Sequence, residues 1–416
     1  MSQSNVPFTP TTQDRPLGSE WDPAGPKPLA HVGRWNGVER RAQIRLPLTR
    51  DLAMSSADVD ETDIQAVLAV MRSGRLALGP KAQAFERAMA DYVGVKHAVA
   101  VDSGTAALHL IVKALGLGPR DQVLVPSFTF AASVNAILYE GATPVFVELE
   151  PETYNLDVAD LERRITHRTK AIMAVDVFGH PADWDGLERV AAKHGLMLID
   201  DCCEALGATH RGRRLGSLGA AGAFAFYPNK QITTGEGGMI VTNDGEVARL
   251  CRSYANQGRE EMGSWLQHDR LGHNYRLDEM SCALGLSQLD KLEQFLAKRE
   301  RVAQQYGERI AFLDAVRAPR VLPHVRMSWF VYVVTLADGC DRDLTMAGME
   351  REGVPCRGYF APVHTQPYIR ARFGNLTGTL PITEAYAKRT LALPFHNSLD
   401  EREIDHVLAV LKRNLR

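Results

Sequence analysis

Lys230 follows the apolar run 221–226 (AGAFAF) and precedes Thr233-Thr234-Gly235-Glu236-Gly237-Gly238. That order, strand then lysine then glycine-rich turn, aims an amine into a crevice. An amine kept from bulk water suits carbonyl chemistry, because its free form is both nucleophile and base. Asp200 and Asp201 end the run at 196–199 (LMLI). A carboxylate there can pair with a protonated ring nitrogen; the other acid is expected at a helix cap or an arginine. Phe130, in Pro126-Ser127-Phe128-Thr129-Phe130, can stack on a planar group. Ser103-Gly104-Thr105-Ala106 opens a helical pattern, where backbone amides, a hydroxyl and the helix dipole attract a phosphate. Taken singly, these features also read as a solvated lysine, a tight turn, a core aromatic and a helix cap.

The elements that must position them follow from periodicity. Short apolar runs at 97–101, 122–125, 144–148, 171–177, 196–200, 221–226 and 238–242 are mostly separated by helical segments, notably 105–116, 129–140, 157–165 and 184–195. Strands so uniformly apolar belong to a sheet covered on both faces. The fold class is therefore α/β, with a seven-stranded, mostly parallel sheet; the close spacing of the last three runs predicts one antiparallel strand among them. A helix is expected across 278–312, leading to a smaller C-terminal α+β domain with a strand at 328–336 and helices near 343–353 and 400–415. The domain expectation is a Pro-rich arm at 1–44, a large domain at 45–299 and a small one at 300–416. In an open sheet of this kind ligands bind at the carboxyl ends of strands, which is where the four features fall. Together they complement one molecule, a flat phosphorylated pyridine aldehyde: pyridoxal phosphate (PLP).

The segments at 73–110, 126–148, 178–187, 198–208 (LIDDCCEALGA), 216–244 and 274–289 (NYRLDEMSCALGLSQL) resemble the DegT/StrS-type sugar aminotransferases, perosamine synthases in particular, over about 48–412. The resemblance implies a fold-type I PLP enzyme. It implies a homodimer with shared active sites, and transfer of an amino group from glutamate to a nucleotide-linked keto sugar. By the same resemblance Lys230 would bond the cofactor, Asp201 would pair with its ring nitrogen and Phe130 would stack on it. Gly104, Thr105 and Ala106 would hold the phosphate, with Asn274 reaching the phosphate in the partner subunit. The family often has serine where Ala225 stands, and glutamine or histidine where Glu204 stands, near the cofactor's phenolic oxygen. Glu204 must then be protonated, turned away or balanced by a cation such as Arg276. Sister enzymes that dehydrate keto sugars carry histidine in place of Lys230, so transamination is preferred. Tyr359, His364 and Gln366 look like the substrate-facing segment, although His364 also reads as a packed loop residue. Arg252, Arg259, Arg276, Arg357 and Lys81 are candidates for the sugar diphosphate. The acceptor stays open between a 4-keto-6-deoxy sugar, a 3-keto sugar and a cyclitol ketone. A catalytically idle protein that keeps the cofactor fold is the alternative of a different class.

The composition bounds these readings. Of 416 residues 45% are hydrophobic, enough for two sizeable cores. The 48 basic and 50 acidic side chains leave a formal charge of -2, so no bulk attraction to nucleic acid or anionic membrane is expected. Without a long apolar span or signal-like start, a cytoplasmic protein is expected. The six cysteines lack paired spacing, which predicts reduced thiols and no metal site, with Cys202 and Cys203 packed in the core.

Overall fold

The computed structural model describes residues 52–415 except 261–263 and 265; the arm expected at 1–44 lies outside them. Seven strands form the main sheet: β1 (His97–Val101), β2 (Gln122–Pro126), β3 (Thr143–Val147), β4 (Thr169–Val175), β5 (Met197–Asp201), β6 (Ala221–Ala225) and β7 (Gly238–Thr242). They pair in the order β1-β7-β6-β5-β4-β2-β3. β6, β5, β4, β2 and β3 run parallel. β7 is the antiparallel member, paired with both β1 and β6.

The apolar runs become strands because each can bury both of its faces. Helices α1 (Glu61–Ser73), α2 (Pro80–Val93), α3 (Gly104–Ala114), α4 (Ala131–Tyr139), α5 (Val158–Arg163), α6 (Trp184–His194), α7 (Gly245–Ala255) and α8 (Glu279–Asp290) accompany the sheet. Alternate strand residues point to opposite faces. Leu124, Ile172 and Phe224 therefore join Phe85, Trp184 and Cys282 from α2, α6 and α8. Their neighbours Val123, Val125, Met173 and Ala223 join Leu110, Ile137 and Cys251 from α3, α4 and α7.

The single helix expected across 278–312 is two, α8 and α9 (Leu292–Ile310), parted at Lys291. The Lys291 ammonium reaches Asp60 at 2.8 Å and Asp63 at 2.7 Å. Leu292, Phe295 and Leu296 of α9 belong to the first core, while Val302, Tyr306 and Ile310 belong to a second. That second core lies under an antiparallel sheet of β8 (Val316–Arg317), β9 (Tyr332–Leu336) and β10 (Thr390–Leu393), order β8-β9-β10. Helices α10 (Arg342–Arg351), α11 (Pro367–Phe373), α12 (Pro381–Ala387) and α13 (Glu401–Asn414) complete the chain. The strand expected across 328–336 begins only at Tyr332, because Trp329 takes the left-handed conformation (φ 53°), which an extended strand excludes. Among the described residues no helix is long and apolar enough to cross a membrane.

Candidate active site

The carboxyl ends of β1, β2, β5 and β6 open on a cavity of about 390 Å3. Its walls include Gly104, Thr105, Phe130, Asp201, Glu204, Ala225, Lys230 and Tyr359. Residues 100 or more positions apart are thus brought to one place by the sheet order.

At the floor, Asp201 ends β5 and is buried. The Ser133 hydroxyl donates to its Oδ2 at 2.6 Å, and the Cys203 amide donates to Oδ1 at 3.3 Å. Burial raises the Asp201 pKa; these two bonds and the charge of Lys230 oppose the rise. Ser133 was not singled out in the sequence. Its signal is the i,i+4 spacing from Thr129, whose hydroxyl it meets at 3.0 Å in the first turn of α4.

Opposite stands Lys230. Its Nζ lies 3.7 Å from the Phe330 ring centroid and 3.9 Å from Glu204 Oε1. Glu204 is buried, which raises its pKa; Lys230 and the Phe178 amide, donating to Oε2 at 2.9 Å, oppose that. Of the accommodations open to Glu204, burial favours the protonated form, with Lys230 rather than Arg276 as the nearby cation that opposes it. Arg276 is not among the groups acting on Glu204; it donates to Asn256 Oδ1 at 3.0 Å and lines a different cavity.

At the third corner Ser103 caps α3, accepting from the Ala106 amide at 3.1 Å. Helix geometry leaves the amides of Gly104 and Thr105 without intrahelical acceptors. A Cβ on Gly104 would lie 2.6 Å from the Ala225 Cβ and 2.9 Å from Cys203 Sγ, so only glycine lets this helix end approach the sheet. Ala225 faces the cavity without a hydroxyl, and Asn229 joins the lining with a buried Oδ1 that has no partner. Phe130 is 64% exposed, where a core aromatic would be covered, so its ring is free to lie on a ligand at the mouth.

PLP fits this set. A buried carboxylate with two donors is matched by a cationic ring nitrogen, two unpaired amides at a helix start by a phosphate, and an unbonded amine by a carbonyl carbon.

Other expected residues are elsewhere. His364 is fully buried, with Nδ1 at 2.6 Å from Ser127 Oγ and Nε2 at 3.0 Å from Glu384 Oε1. It ties α12 to the end of β2 and has no free nitrogen for a substrate, so its packed reading holds. Asn274 is exposed on a loop bridged to Asn256, outside the cavity lining. Arg252, Arg259 and Arg276 line a second cavity of about 870 Å3, where Arg252 is 3.1 Å from Glu86. Arg357 pairs with Glu350 at 2.8 Å on the surface. Cys202 is buried, and Cys203 lines the first cavity; burial and the neighbouring aspartates push both thiols far up, away from the reactive thiolate form.

Asp200 meets neither a helix cap nor an arginine. It accepts from the Gly216 amide at 2.6 Å and lies against Asp176, whose Oδ1 accepts from the Ala182 amide at 2.7 Å and Trp184 Nε1 at 3.1 Å. Asp200 Oδ1 and Asp176 Oδ2 are buried without a donor, so the two acids share a proton. Burial pushes Asp176 up to about 6 and, with the Asp176 charge, raises Asp200 further. A raised acid pKa means that the folded chain holds the proton more tightly. This pair's contribution is therefore full below the ordinary carboxylate range, falls as pH rises through about 6, where Asp176 ionises, and keeps falling above that until Asp200 gives up its own proton. Asp200→Asn supplies Asp176 with an amide donor that cannot ionise. Its melting temperature is expected to decline less than that of the wild type from about pH 5 to about pH 8. Asp200→Ala, which leaves Asp176 without that donor, is expected to cost about 1–3 kcal/mol. Parallel declines in the wild type and the asparagine variant would contradict the shared proton.

Comparison with known proteins bears on the same residues. The chain is 44% identical over 336 residues to the GDP-perosamine synthase of Caulobacter vibrioides, covering 80% of this chain and 89% of that one. It is 36% identical over 372 residues to the UDP-N-acetyl-3-dehydro-alpha-D-glucosamine 3-aminotransferase of Acidithiobacillus ferrooxidans, covering 88% and 97%. The PLP-form structure of Spr1654 from Streptococcus pneumoniae superposes with a TM-score of 0.83 at 26% identity, covering 88% of this chain and all of that one (100%). The model of the DegT/DnrJ/EryC1/StrS aminotransferase family matches residues 57–412, nearly every described element. With its fold-type I architecture, the chain is a PLP-dependent aminotransferase and belongs to the DegT/DnrJ/EryC1/StrS aminotransferase family.

Proposed function

We propose that this enzyme moves an amino group from glutamate to the keto carbon of a nucleotide-linked sugar, a 4-keto-6-deoxyhexose, in the making of amino sugars for surface polysaccharide. The single observation that carries the reading is the Lys230 amine held between Phe330 and Glu204 and facing Asp201 in one cavity. PLP, when bound, supplies an electron-withdrawing ring that accommodates the electron pair left when a proton is removed from the donor's α-carbon. Lys230 takes that proton and returns it, first for the donor and then, in the opposite sense, for the acceptor. Asp201 would keep the ring nitrogen protonated, Phe130 would cover a ring face, and the Gly104 and Thr105 amides with the Thr105 hydroxyl would hold the phosphate. Donor and acceptor use one cavity in turn, so ping-pong kinetics are expected. The likeness to a GDP-perosamine synthase supports the 4-keto acceptor.

The enzyme works as a cytoplasmic homodimer in which Asn274 reaches the partner's cofactor phosphate; its exposure outside the cavity of its own chain supports that role. Tyr359, at the cavity wall, contacts the sugar nucleotide. A second reading, amination at carbon 3, has support in the likeness to an enzyme named for a 3-dehydro sugar. Incubating the holoenzyme and glutamate with a panel of 3-keto and 4-keto nucleotide sugars, with product analysis, decides between them. An amine at carbon 4 is expected; an amine only at carbon 3, or none with any sugar nucleotide, would overturn the proposal.

A further inference from the structure

Arg299, in the middle of α9, is 2% exposed, yet among the described residues no carboxylate lies within ion-pair distance. Burial without a counter-charge lowers its pKa to about 10, with only the more distant Asp58 acting against the fall. Such a charge is costly unless its donors are used; among the described residues Nε has no acceptor, and the two terminal nitrogens are taken by backbone carbonyls. Nη2 donates to the Lys230 carbonyl at 2.9 Å; Nη1 donates to the carbonyls of Trp329 and Phe330 at 3.0 and 3.2 Å. Both targets bear on the reacting amine. One is the backbone of Lys230 itself. The other is the turn that carries the Phe330 ring, on which the Lys230 Nζ rests at 3.7 Å. That turn includes Trp329 at φ 53°, a conformation that non-glycine residues avoid and keep only where the surroundings hold it. A parallel tie runs through the next residue: Gln231 Nε2 donates to the Glu204 carbonyl at 2.7 Å and to Ser328 Oγ at 2.9 Å.

We infer that Arg299 is a positioning residue for the transamination: one guanidinium clamps the backbone of Lys230 and the seat of its amine, and so sets the line along which the proton is transferred. This rests on Lys230 being the reacting amine. Lysine at 299 keeps the charge, but its single ammonium cannot span three carbonyls as the planar fork does.

The test compares wild type, Arg299→Lys and Tyr306→Phe as holoenzymes. Tyr306→Phe removes another buried bond of α9, from the hydroxyl to the Pro394 carbonyl at 2.8 Å, while keeping the ring that stacks on Tyr332. Melting temperature, the pH midpoint of the visible band of the bound cofactor, and kcat and KM for the donor half-reaction are measured. Arg299→Lys is expected to shift the midpoint and to lower kcat by about 10- to 100-fold, with KM for the donor nearly unchanged. Tyr306→Phe is expected to lower only the melting temperature. An Arg299→Lys enzyme with the wild-type midpoint and kcat would overturn the inference, whatever its melting temperature. A wild type with no visible band would overturn the reading of Lys230 instead, which keeps the two failures apart.

Discussion

Lys230→Ala is expected to lower turnover by about 10²- to 10⁴-fold or more, because general acid–base catalysis of that size rests here on one amine. No neighbour can replace it. Among the described residues Glu204, at 3.9 Å, is the carboxylate paired with Nζ, and its own pKa is already raised by burial. Asp201 is engaged by Ser133 and Cys203. The variant should still fold, since among the described residues Lys230 has no other ion pair and Arg299 binds the carbonyl, which alanine retains. Loss of the visible band with retained melting temperature, and partial recovery of turnover with an added small primary amine, are the accompanying expectations. Near wild-type turnover in this variant would remove Lys230 from the reaction.

Asp201→Asn carries the second large effect, an expected loss of about 10²- to 10³-fold in kcat, the size seen when one preorganised electrostatic partner is withdrawn from an enclosed site. The amide nearly keeps the shape but not the charge, so nothing at the cavity floor would hold a proton on the ring nitrogen. The donor should still bind, and KM should move much less than kcat. Ser133→Ala, which leaves Asp201 charged with one donor fewer, is expected to raise the Asp201 pKa further and to narrow the pH range of activity from the acid side. Steady-state kinetics from about pH 5 to about pH 9 check both expectations. An Asp201→Asn enzyme with full kcat would show that the floor carboxylate does not act on the ring.

The features that could be read from the residues are those set by local pattern. Runs such as QVLV and GMIVT had to be buried on both faces, and the chemistry had to stand at their carboxyl ends, so Lys230, Asp201 and the start of α3 were legible before any coordinates. Contacts that depend on tertiary register were not legible. Arg299 reads as one basic residue in the run Lys298-Arg299-Glu300-Arg301, and only the packing of α9 against the Trp329 turn turns it inward. Asp176 meets Asp200 because β4 and β5 pair Ala174 with Asp200 and Val175 with Asp201, bringing the next β4-side residue alongside. A second buried acid is a poor default partner for a carboxylate, which is why a cap or an arginine was expected. His364 sits in a motif that faces substrate by resemblance, yet Glu384 and Ser127, distant in sequence, occupy both of its nitrogens. Glu204 posed a charge problem that only its burial and the distance to Lys230 could resolve.

The central claim is that Lys230 is the amine that meets the cofactor's carbonyl. Reducing the holoenzyme with borohydride fixes such a contact as a stable secondary amine, and peptide mapping by mass spectrometry then locates it. A pyridoxyl group is expected on the peptide containing Lys230 and on no other lysine; the label on another lysine, or no label on a protein that retains the cofactor, would remove Lys230 from that role.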